Sequence, residues 1–508
     1  MPFNSIFAWV MKKRIHQIDL FRKYPVEVQE ELLGRLMLAG SKCVYGAVHD
    51  FSMIKTYDQY RSKVPLQEYE DAKPWIDRLM AGEQNLLWNT ETKWFAKSSG
   101  TTSARSKLIP VTKESLEGCH YKGGKDLLAM YYDNHPKRKL YKGKHLIIGG
   151  SAEINQLTAD SYFGDLSAII VKNLPWWIEI RRTPSREIAL MSEWVEKIEK
   201  MAQSTINEDV YIIAGVPSWT MVFANRVLEI TGKSNLKEVW PNLELFMHGG
   251  VSFEPYREHF KKLIPDPSMN YVETYNASEG FFGIQDKANS DEMLLMLDYG
   301  TFYEFIPMSD FKGTKSTNAI SIAEVELNVN YALVISTNAG LWRYILGDTI
   351  KFTALHPFRF KITGRTKSFI NTFGEEVIEE NATAAIAEAS MRTNSVVREF
   401  TAGPIYMNNE AQGAHEWCIE FVTEPEEMDQ FKSILDETLR AVNSDYDAKR
   451  YHNLVLLEPK INQLKKGTFD RWLESIGKLG GQNKVPRLSN NRVILEQILQ
   501  LSQVEKLV

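Results

Sequence analysis

The feature that most constrains this 508-residue chain is a series of short apolar runs that each end in glycine or a small residue and lead toward a helical pattern. The clearest are KHLIIGG at residues 144–150, DVYIIAGV at 209–216 and LELFMHGG at 243–250. Strands that alternate with helices form a mainly parallel sheet, because parallel neighbours need a long crossover connection. Residues 218–232 are predicted to be one crossover helix. The sequence therefore predicts an α/β fold.

The segments on either side of these units have different patterns. Residues 27–42 and 74–88 carry apolar side chains at three- and four-residue spacing, which predicts a helical layer at the N-terminus. Residues 292–361 alternate apolar with polar side chains, which is typical of antiparallel strands. The N-terminal part is therefore expected to combine mixed sheets, a β-rich subdomain and this helical layer.

A domain boundary is predicted near Thr366, where a polar, turn-prone passage precedes a new helical pattern. We expect a large domain at residues 1–365 and a small α+β domain at residues 366–508. The small domain is predicted to contain, in order, a helix at 375–391, strands at 398–407 and 416–424, a helix at 426–442, a strand at 454–459 and a final helical region.

Charge and cysteine usage argue against several classes of protein. The chain has 60 Lys and Arg against 65 Asp and Glu, and this net charge of −5 is too near neutral for a general nucleic-acid binder. Cys43, Cys119 and Cys418 lie far apart and form no CxxC pair, which favours a reducing, cytoplasmic location over a disulfide framework. The longest uncharged run, residues 210–225, is too short to span a membrane, and the N-terminus lacks the order of a secretory signal.

The most informative segment is KSSGTTSARSK at residues 97–107, in which hydroxyl side chains surround one glycine. The glycine permits close backbone approach, the hydroxyls donate to phosphate oxygens and the final lysine supplies positive charge. A flexible Ser/Thr-rich linker is the alternative, but the strand-like exit at 108–111 favours an anion-binding loop. The candidate phosphate ligands are Ser98, Ser99, Gly100, Thr101, Thr102 and Lys107.

A second candidate segment, residues 271–280, is a β-rich run that ends in an aromatic, a hydroxyl and a carboxylate. Ligands bind at strand carboxyl ends in open α/β sheets, so Tyr275 is a candidate to stack on a base and Ser278 to donate to phosphate. Glu279 offers a hard oxygen ligand suited to Mg²⁺. A buried tyrosine followed by a Ser-Glu helix start is the alternative interpretation.

Two shorter segments complete the candidate site. Gly249, Gly250 and Val251 end another strand, where two glycines let the backbone lie flat against a planar ligand, although a plain turn explains them equally well. In the segment 340–348, Asp348 is placed to accept hydrogen bonds from ribose hydroxyls, and Arg365 to bridge to ribose or phosphate. The alternative for this segment is a Gly-Asp hairpin.

In this order, the segments resemble the adenylate-forming superfamily, and within it a bacterial-type member of the acyl acid amido synthetases known as the auxin-responsive Gretchen Hagen family. The family's phosphate loop is similar to SSGTSxGxxK, and here the spacing from Gly100 to Lys107 is longer than in the SGTTGxPK loop of acyl-CoA ligases. The family's YxxSE element matches Tyr275 to Glu279, and its YRxGD-like element matches Tyr344 to Asp348.

The tail sequence GGQNKVPR at residues 480–487 resembles the family's glycine-rich loop with a lysine before a proline. The resemblance implies that Lys484 is a catalytic lysine carried by a mobile small domain. It also implies ATP and Mg²⁺ as cofactors, with Thr101 and Ser278 beside Lys484 in the catalytic set.

The activity implied is that of a two-step ligase. A carboxylic acid is activated by ATP as an acyl-adenylate with release of pyrophosphate, and the acyl group then passes to an amine, an amino acid by expectation, with release of AMP. The three ATP-binding turns are expected to converge on one nucleotide. Two alternatives stay open at this point, which are a ligase that forms a coenzyme A thioester and a nucleotide-binding relative without turnover.

Overall fold

The computed structural model describes the chain apart from residues 1, 99–106, 137, 139–141, 150–153, 175, 192, 251–252, 254–255, 289, 367–368, 371–374, 376, 407–412, 444–445, 448–449, 451–455, 480–483, 490 and 505–508, and apart from the side chains of 2–12, 98, 176–177, 194–195, 218 and 503–504. It divides into two compact units. The first comprises Met1–Ser98, Arg105–Leu346 and Ile350–Lys361, and the second consists mainly of Gly347–Thr349 and Ile362–Val508.

The helical layer predicted at the N-terminus is present in the first unit. Its helices are α1 (Pro2–Lys23), α2 (Pro25–Gly40), α3 (Val44–Val48), α4 (Tyr57–Lys63) and α5 (Tyr69–Met80). The apolar spacing that predicted α2 buries Leu32, Leu33 and Leu36, and Thr56 caps α4 by accepting a hydrogen bond from the backbone N–H of Gln59.

The further helices of the first unit lie between strands. They are α6 (Lys113–Ser115), α7 (Tyr121–Asn134), α8 (Leu166–Lys172), α9 (Trp176–Glu179), α10 (Arg186–Ala189), α11 (Trp194–Thr205), α12 (Pro217–Thr231), α13 (Leu236–Val239) and α14 (Arg257–Leu263). A π-helical turn at Leu116–His120 joins α6 to α7, and 3₁₀ turns occur at Phe51–Met53, Met308–Asp310 and Ile322–Glu324. The predicted crossover helix is α12, which begins with Pro217 at its first position.

The strands that precede residue 366 are short in the α/β part and longer in the β-rich part, and the last two of them include the residues Gly347–Thr349 and 362–365 of the second unit. They are β1 (Trp94–Ser98), β2 (Lys107–Val111), β3 (Lys144–Ile148), β4 (Ile154–Gln156), β5 (Tyr162–Asp165), β6 (Arg182–Thr183), β7 (Val210–Gly215), β8 (Leu245–Gly249), β9 (Asn270–Ala277), β10 (Gly280–Ile284), β11 (Met293–Leu295), β12 (Thr301–Pro307), β13 (Asn330–Thr337), β14 (Tyr344–Leu355) and β15 (Phe358–Arg365).

These strands form two sheets among the described residues. The larger has the order β12-β13-β14-β15-β11-β10-β9-β8-β7-β3-β6, and the smaller has the order β2-β1-β5-β4. The three runs that ended in glycine are β3, β7 and β8, and they pair in parallel with one another and with β9. The predicted antiparallel region follows, because β9 pairs antiparallel with β10, and β12 with β13. The prediction of an α/β fold with mixed sheets is confirmed.

The second unit folds around its own core. Its elements are β16 (Phe369–Ile370), β17 (Val377–Ile378), α15 (Glu379–Arg392), β18 (Val396–Ile405), β19 (Ala414–Thr423), α16 (Met428–Val442), β20 (Lys460–Leu464), α17 (Thr468–Ser475) and α18 (Val493–Val504). The helices pack on the sheet β18-β19-β20 and bury Phe400, Trp417 and Leu435.

One predicted strand of the second unit is misplaced. The sequence favoured residues 454–459, but the third strand is β20 at Lys460–Leu464, which pairs in parallel with β19. Within 454–459, Leu456 is fully buried and forms a single bridge to Gly413. The apolar character of the earlier run therefore serves core packing, and the strand ladder forms in the more polar sequence that follows.

The described part of the chain contains neither a membrane-spanning helix nor a disulfide bond. No helix there combines the length and the apolar character that a membrane span requires. Cys43, Cys119 and Cys418 are each buried as free thiols.

Candidate active site

The hydroxyl-rich segment connects two antiparallel strands, β1 and β2. Ser98 pairs with Lys107, so the segment leaves and re-enters the sheet at directly opposed positions. Ser99, Gly100, Thr101 and Thr102 lie outside the described residues, as does the side chain of Ser98. The Lys107 ammonium lies 5.6 Å from the centre of the Tyr69 ring, and the next residue donates its backbone N–H to Tyr69 Oη at 2.9 Å. A residue of the helical layer thus holds the exit of the segment.

The glycine pair at the end of β8 lies against the neighbouring strand. Gly249 pairs with Thr274, and a Cβ atom at Gly249 would lie 2.4 Å from the Thr274 carbonyl oxygen. Gly250 has φ +82°, a left-handed conformation that favours glycine. Both glycines are therefore required by the local backbone, and Val251 lies outside the described residues.

Ser278 and Glu279 form the two-residue turn between β9 and β10. Ala277 pairs with Gly280 across this hairpin, so the Ser-Glu pair does not begin a helix. Both turn residues are buried, with 6% and 8% of their surface exposed. Polar side chains that are buried in a turn need hydrogen-bonding partners, which restricts their orientation.

The hairpin is held by packing on two sides. The Tyr275 ring contacts Phe282 and Phe360 at centroid distances of 5.0 and 6.0 Å and is only 6% exposed. On the other side, Phe281 donates its backbone N–H to Cys119 Sγ, at 3.1 Å, in the π-helical turn. Burial raises the pKa of the Cys119 thiol to about 12, so it remains a neutral acceptor.

The donor set at this turn is compatible with Mg²⁺. No group of three or more His, Cys, Asp or Glu side chains gathers as a metal site among the residues the structure describes. Mg²⁺ bound with a nucleotide needs only one or two protein carboxylates, because phosphate oxygens and water complete its octahedron. Glu279, a hard oxygen donor in a fixed turn, fits that requirement.

In the second unit, Asp348 and Arg365 form an ion pair. Arg365 Nε lies 2.9 Å from Asp348 Oδ1. Gly347 precedes the aspartate with φ +89°, and its carbonyl oxygen accepts the backbone N–H of Thr366 at 2.9 Å. The segment is part of strand β14 and not the plain Gly-Asp hairpin that was the alternative.

Lys484 belongs to the same charged cluster as this ion pair. Part of the Lys484 side chain is exposed to solvent. The surrounding protein nevertheless desolvates its ammonium and, together with the positive charge of Arg365, lowers the pKa of Lys484 to about 8. The carboxylates of Asp348 and Glu379 act in the opposite direction, and Arg487 adds positive charge. Three residues predicted from distant parts of the sequence are therefore brought together in the second unit.

The residues that follow Lys484 are hydrogen-bonded to β18. Thr401 Oγ1 donates to the carbonyl oxygen of Pro486 at 2.6 Å, and the backbone N–H of Ala402 donates to the Arg487 carbonyl at 2.8 Å. The Arg487 guanidinium lies 4.4 Å from the centre of the Phe400 ring. The residues that follow Lys484 thus behave as an added strand of the second unit.

Sequence reasoning missed Glu379 and Arg487 as neighbours of Lys484. Arg487 is the last residue of the tail motif GGQNKVPR, but the motif gave it no role. Nothing in the sequence indicated which carboxylate would lie near Lys484. Glu379 begins α15, and its approach to the site depends on Gly364, where a Cβ atom would lie 3.1 Å from Glu379 Cβ.

Comparison with known proteins places these features in one family. Models of the GH3 family match three successive segments, its N-terminal domain at residues 14–269, its central domain at 294–365 and its C-terminal domain at 380–493. Similar curated proteins include the indole-3-acetic acid-amido synthetase GH3.4 of Arabidopsis thaliana, 24% identical over 94% of this chain and 91% of that protein. Another, the 4-substituted benzoates-glutamate ligase GH3.12 of the same species, is 22% identical over 94% of this chain and 95% of that protein.

Solved structures show the same fold. The GH3.15 acyl acid amido synthetase superposes with a TM-score of 0.76 at 17% identity, covering 94% of this chain and 93% of that chain. A 2-hydroxyisobutyryl-CoA ligase superposes with a TM-score of 0.59 at 12% identity, covering 93% and 91%. With family models matched over more than half of its length, the chain belongs to the GH3 family of acyl acid amido synthetases, adenylate-forming carbon–nitrogen ligases that use ATP to conjugate carboxylic acids to amino acids.

Proposed function

We propose that this chain performs the ligase reaction in two steps, with the charged cluster around Lys484 serving the first. A carboxylate oxygen of the acid attacks the α-phosphorus of ATP, and the bond to the β-phosphate oxygen breaks to release pyrophosphate. The amine of an amino acid then attacks the acyl carbonyl and loses a proton, and AMP leaves. The observation that carries these roles is the convergence of Asp348, Arg365 and Lys484 in one unit.

Lys484 is proposed to stabilise the charge that develops on the reacting phosphoryl oxygens. Phosphoryl transfer depends mainly on positioning and electrostatic stabilisation, which a fixed ammonium supplies. Its pKa of about 8 leaves most of the population charged at pH 7. We further propose that residues 366–508 move as a lid domain that carries this lysine, which leaves the second step free of it.

The other predicted residues are proposed to hold the nucleotide. Asp348 accepts the ribose hydroxyls while Arg365 orients its carboxylate, and Tyr275 lies along the base. Gly249, Gly250 and Val251 are proposed to lie against the base through their main chain. The remaining nucleotide ligands, which contact phosphate, are Ser98, Ser99, Gly100, Thr101, Thr102, Lys107 and Ser278.

Magnesium is proposed to enter with ATP and to be held by Glu279. A bound Mg²⁺ neutralises phosphate charge when present. Glu279 is suited to this role because it lies in a buried hairpin turn and adjoins Ser278, a proposed phosphate donor. Replacement of Glu279 by Gln is expected to raise the Mg²⁺ concentration needed for half-maximal pyrophosphate release.

The test of the proposed function is a two-part assay on the full chain. Pyrophosphate release is measured with ATP over a panel of carboxylic acids, which includes indole-3-acetate and 4-substituted benzoates because the relatives are named for them. Products are then identified by mass with amino acids or coenzyme A present. We expect release with at least one acid and an amide as product; a thioester, or no release with any acid, contradicts the proposal.

A lysine variant separates the catalytic role from binding. Lys484→Ala is expected to suppress acid-dependent pyrophosphate release strongly while ATP affinity stays unchanged, since the lysine acts on the transition state. First-step kinetics equal to the wild type would remove Lys484 from the site. The matched control is Lys478→Ala, an alteration of another lysine in the same C-terminal region.

A further inference from the structure

The chain between α4 and α5 lies alongside the start of β14, where Gln67 forms a parallel bridge to Tyr344. Gln67 donates its backbone N–H to the Arg343 carbonyl oxygen at 3.0 Å, and its own carbonyl oxygen accepts the backbone N–H of Ile345 at 2.8 Å. The buried side chain of Gln67 donates to Tyr45 Oη at 3.0 Å. This connection is therefore fixed to the first unit through both its main chain and its side chain.

Tyr69 follows two residues later and is the first residue of α5. The helix start is held by Glu68, whose backbone N–H donates to Asp71 Oδ2 at 2.9 Å. Tyr69 is 9% exposed and belongs to the hydrophobic core of the first unit. Side chains in a close-packed core keep a single rotamer, so the ring and the hydroxyl of Tyr69 have fixed positions.

The hydroxyl of Tyr69 binds the backbone at the start of β2. β2 is an edge strand of its sheet, and the backbone N–H of Leu108, its second residue, donates to Tyr69 Oη at 2.9 Å. Outward backbone groups of an edge strand have no strand partner and need one from elsewhere. Tyr69 supplies that partner at the residue that directly follows Lys107.

The ring of Tyr69 contacts the side chain of Lys107 itself. The Lys107 Nζ atom lies 5.6 Å from the ring centre, within the range of a cation–π interaction. A neutral aromatic face attracts an ammonium without cancelling its charge, whereas a carboxylate would neutralise it. The contact therefore restrains a flexible side chain and leaves its positive charge available to an anion.

We propose that Tyr69 is a positioning residue for Lys107 in ATP binding, whose hydroxyl fixes the backbone beside this lysine while the ring restrains its ammonium. The inference rests on the proposed function, because it assumes that Lys107 contacts the phosphates. A ligand group that is ordered before binding loses less conformational freedom when the ligand arrives. Loss of Tyr69 is thus expected to weaken ligands through their polyphosphate and not through their nucleoside.

The test measures the affinity of the full chain for α,β-methylene ATP and for adenosine by isothermal titration calorimetry. Tyr69→Phe keeps the ring and removes the hydroxyl, and we expect it to weaken α,β-methylene ATP binding by about threefold. Tyr69→Leu removes the ring as well and should weaken it by about fivefold, while adenosine affinity changes by less than about 1.5-fold in either variant. The control is Tyr24→Leu, because Tyr24 also has a lysine ammonium, that of Lys23, 5.1 Å from its ring centre but is 41% exposed; it should match the wild type.

A double-mutant cycle separates positioning of Lys107 from a general structural role. Lys107→Met alone is expected to weaken α,β-methylene ATP binding by about tenfold, because it removes a charge from the phosphate site. In the Lys107→Met background, Tyr69→Phe and Tyr69→Leu should each change this affinity by less than about 1.5-fold, since no ammonium remains to be positioned. Tyr69→Phe keeps the core packing, so the cycle can be completed with this variant alone if Tyr69→Leu does not fold.

The inference fails if the Tyr69 variants weaken both probes equally, or if their losses persist in the Lys107→Met background. It also fails if they bind α,β-methylene ATP like the wild type while Lys107→Met loses affinity, and the proposed function then stands. Wild-type affinity of Lys107→Met for α,β-methylene ATP would remove Lys107 from the phosphate site, and the proposed nucleotide contacts and the inference would then fail together.

Discussion

Arg365 Nε lies 2.9 Å from Asp348 Oδ1, in an ion pair between neighbouring strands β14 and β15. The pair is only partly exposed, with 35% and 16% of the two side chains accessible. A guanidinium bonded to one carboxylate oxygen restricts the rotation of the carboxylate. The acceptor proposed for the ribose is therefore oriented before a nucleotide binds.

Asp348→Ala is expected to raise the KM for ATP by about 10- to 100-fold, because hydrogen bonds to a charged group each contribute about 1.5–3 kcal/mol. Steady-state pyrophosphate release at saturating acid gives this value. The control is Asp291→Ala, which removes an exposed aspartate that pairs with Lys361 on the same strand β15. Equal KM values for Asp348→Ala and the control would exclude Asp348 from nucleotide binding.

The lowered pKa of Lys484 predicts a pH dependence of the first step. The charged ammonium is the active form, so kcat/KM for pyrophosphate release should decline as the pH rises through about 8, which is the pKa of Lys484 in the free protein. Bound triphosphate favours the ammonium, so the corresponding decline in kcat should occur at a higher pH. In Lys484→Arg the guanidinium stays charged, and the activity that remains should show no decline near pH 8. An unchanged profile in that variant would assign the titration to another group.

The hydrogen bond that joins Thr401 of β18 to Pro486 predicts an effect on the rate of the first step. Thr401→Val removes the donor to the Pro486 carbonyl, a 2.6 Å hydrogen bond, and loosens the chain two residues after Lys484. We expect kcat of the first step to fall by about tenfold with the KM for ATP unchanged, since Lys484 positioning matters in the transition state. Thr438→Val is the control, because its hydroxyl bonds only within α16, to the Ile434 carbonyl. A raised KM with unchanged kcat would place the segment in ATP binding.

Local patterns predicted elements well and failed where partners lie far away in the chain. The glycine-terminated runs that became β3, β7 and β8 are each contiguous, and their order fixed a parallel arrangement. The Ser278–Glu279 pair has the letters of a helix start, yet the buried run GFFGI that follows forms β10 and makes the pair a hairpin turn. The choice between the two outcomes depended on tertiary burial and not on the pair itself.

The same limit applies to the candidate site. Asp348, Arg365 and Lys484 were predicted singly from motifs, but their grouping with Glu379 depends on how β14, β15, α15 and the tail fold in the second unit. Lys197, a buried lysine of α11, carries no motif, because the Gly149 carbonyl that accepts its hydrogen bond lies 48 residues earlier in the chain and meets it only through packing. Residues whose role arises from such long-range contacts leave no periodic signal in the sequence.

The buried ion network of Arg14 predicts a large contribution of α1 to stability. Arg14 Nη2 lies 2.7 Å from Asp126 Oδ2 and Arg14 Nη1 lies 2.8 Å from Asp298 Oδ2, and the side chains of Arg14 and Asp126 are 6% and 0% exposed. Arg14→Leu leaves the Asp126 carboxylate buried without this cation, so we expect the free energy of unfolding to fall by about 3–5 kcal/mol. Urea-induced unfolding followed by tryptophan fluorescence measures the change.

The control for this prediction is an exposed arginine of the same helical layer. Arg35 pairs with Glu31 at 3.8 Å, and the two side chains are 61% and 73% exposed. Arg35→Leu should lower the free energy of unfolding by less than about 1 kcal/mol, because water screens the charges and competes for their hydrogen bonds. Equal urea midpoints for the two variants would show that Tyr299, which donates to Asp126 at 2.7 Å, suffices to compensate the buried carboxylate. A large difference would instead establish that α1 is held to the first unit mainly by the charge of Arg14.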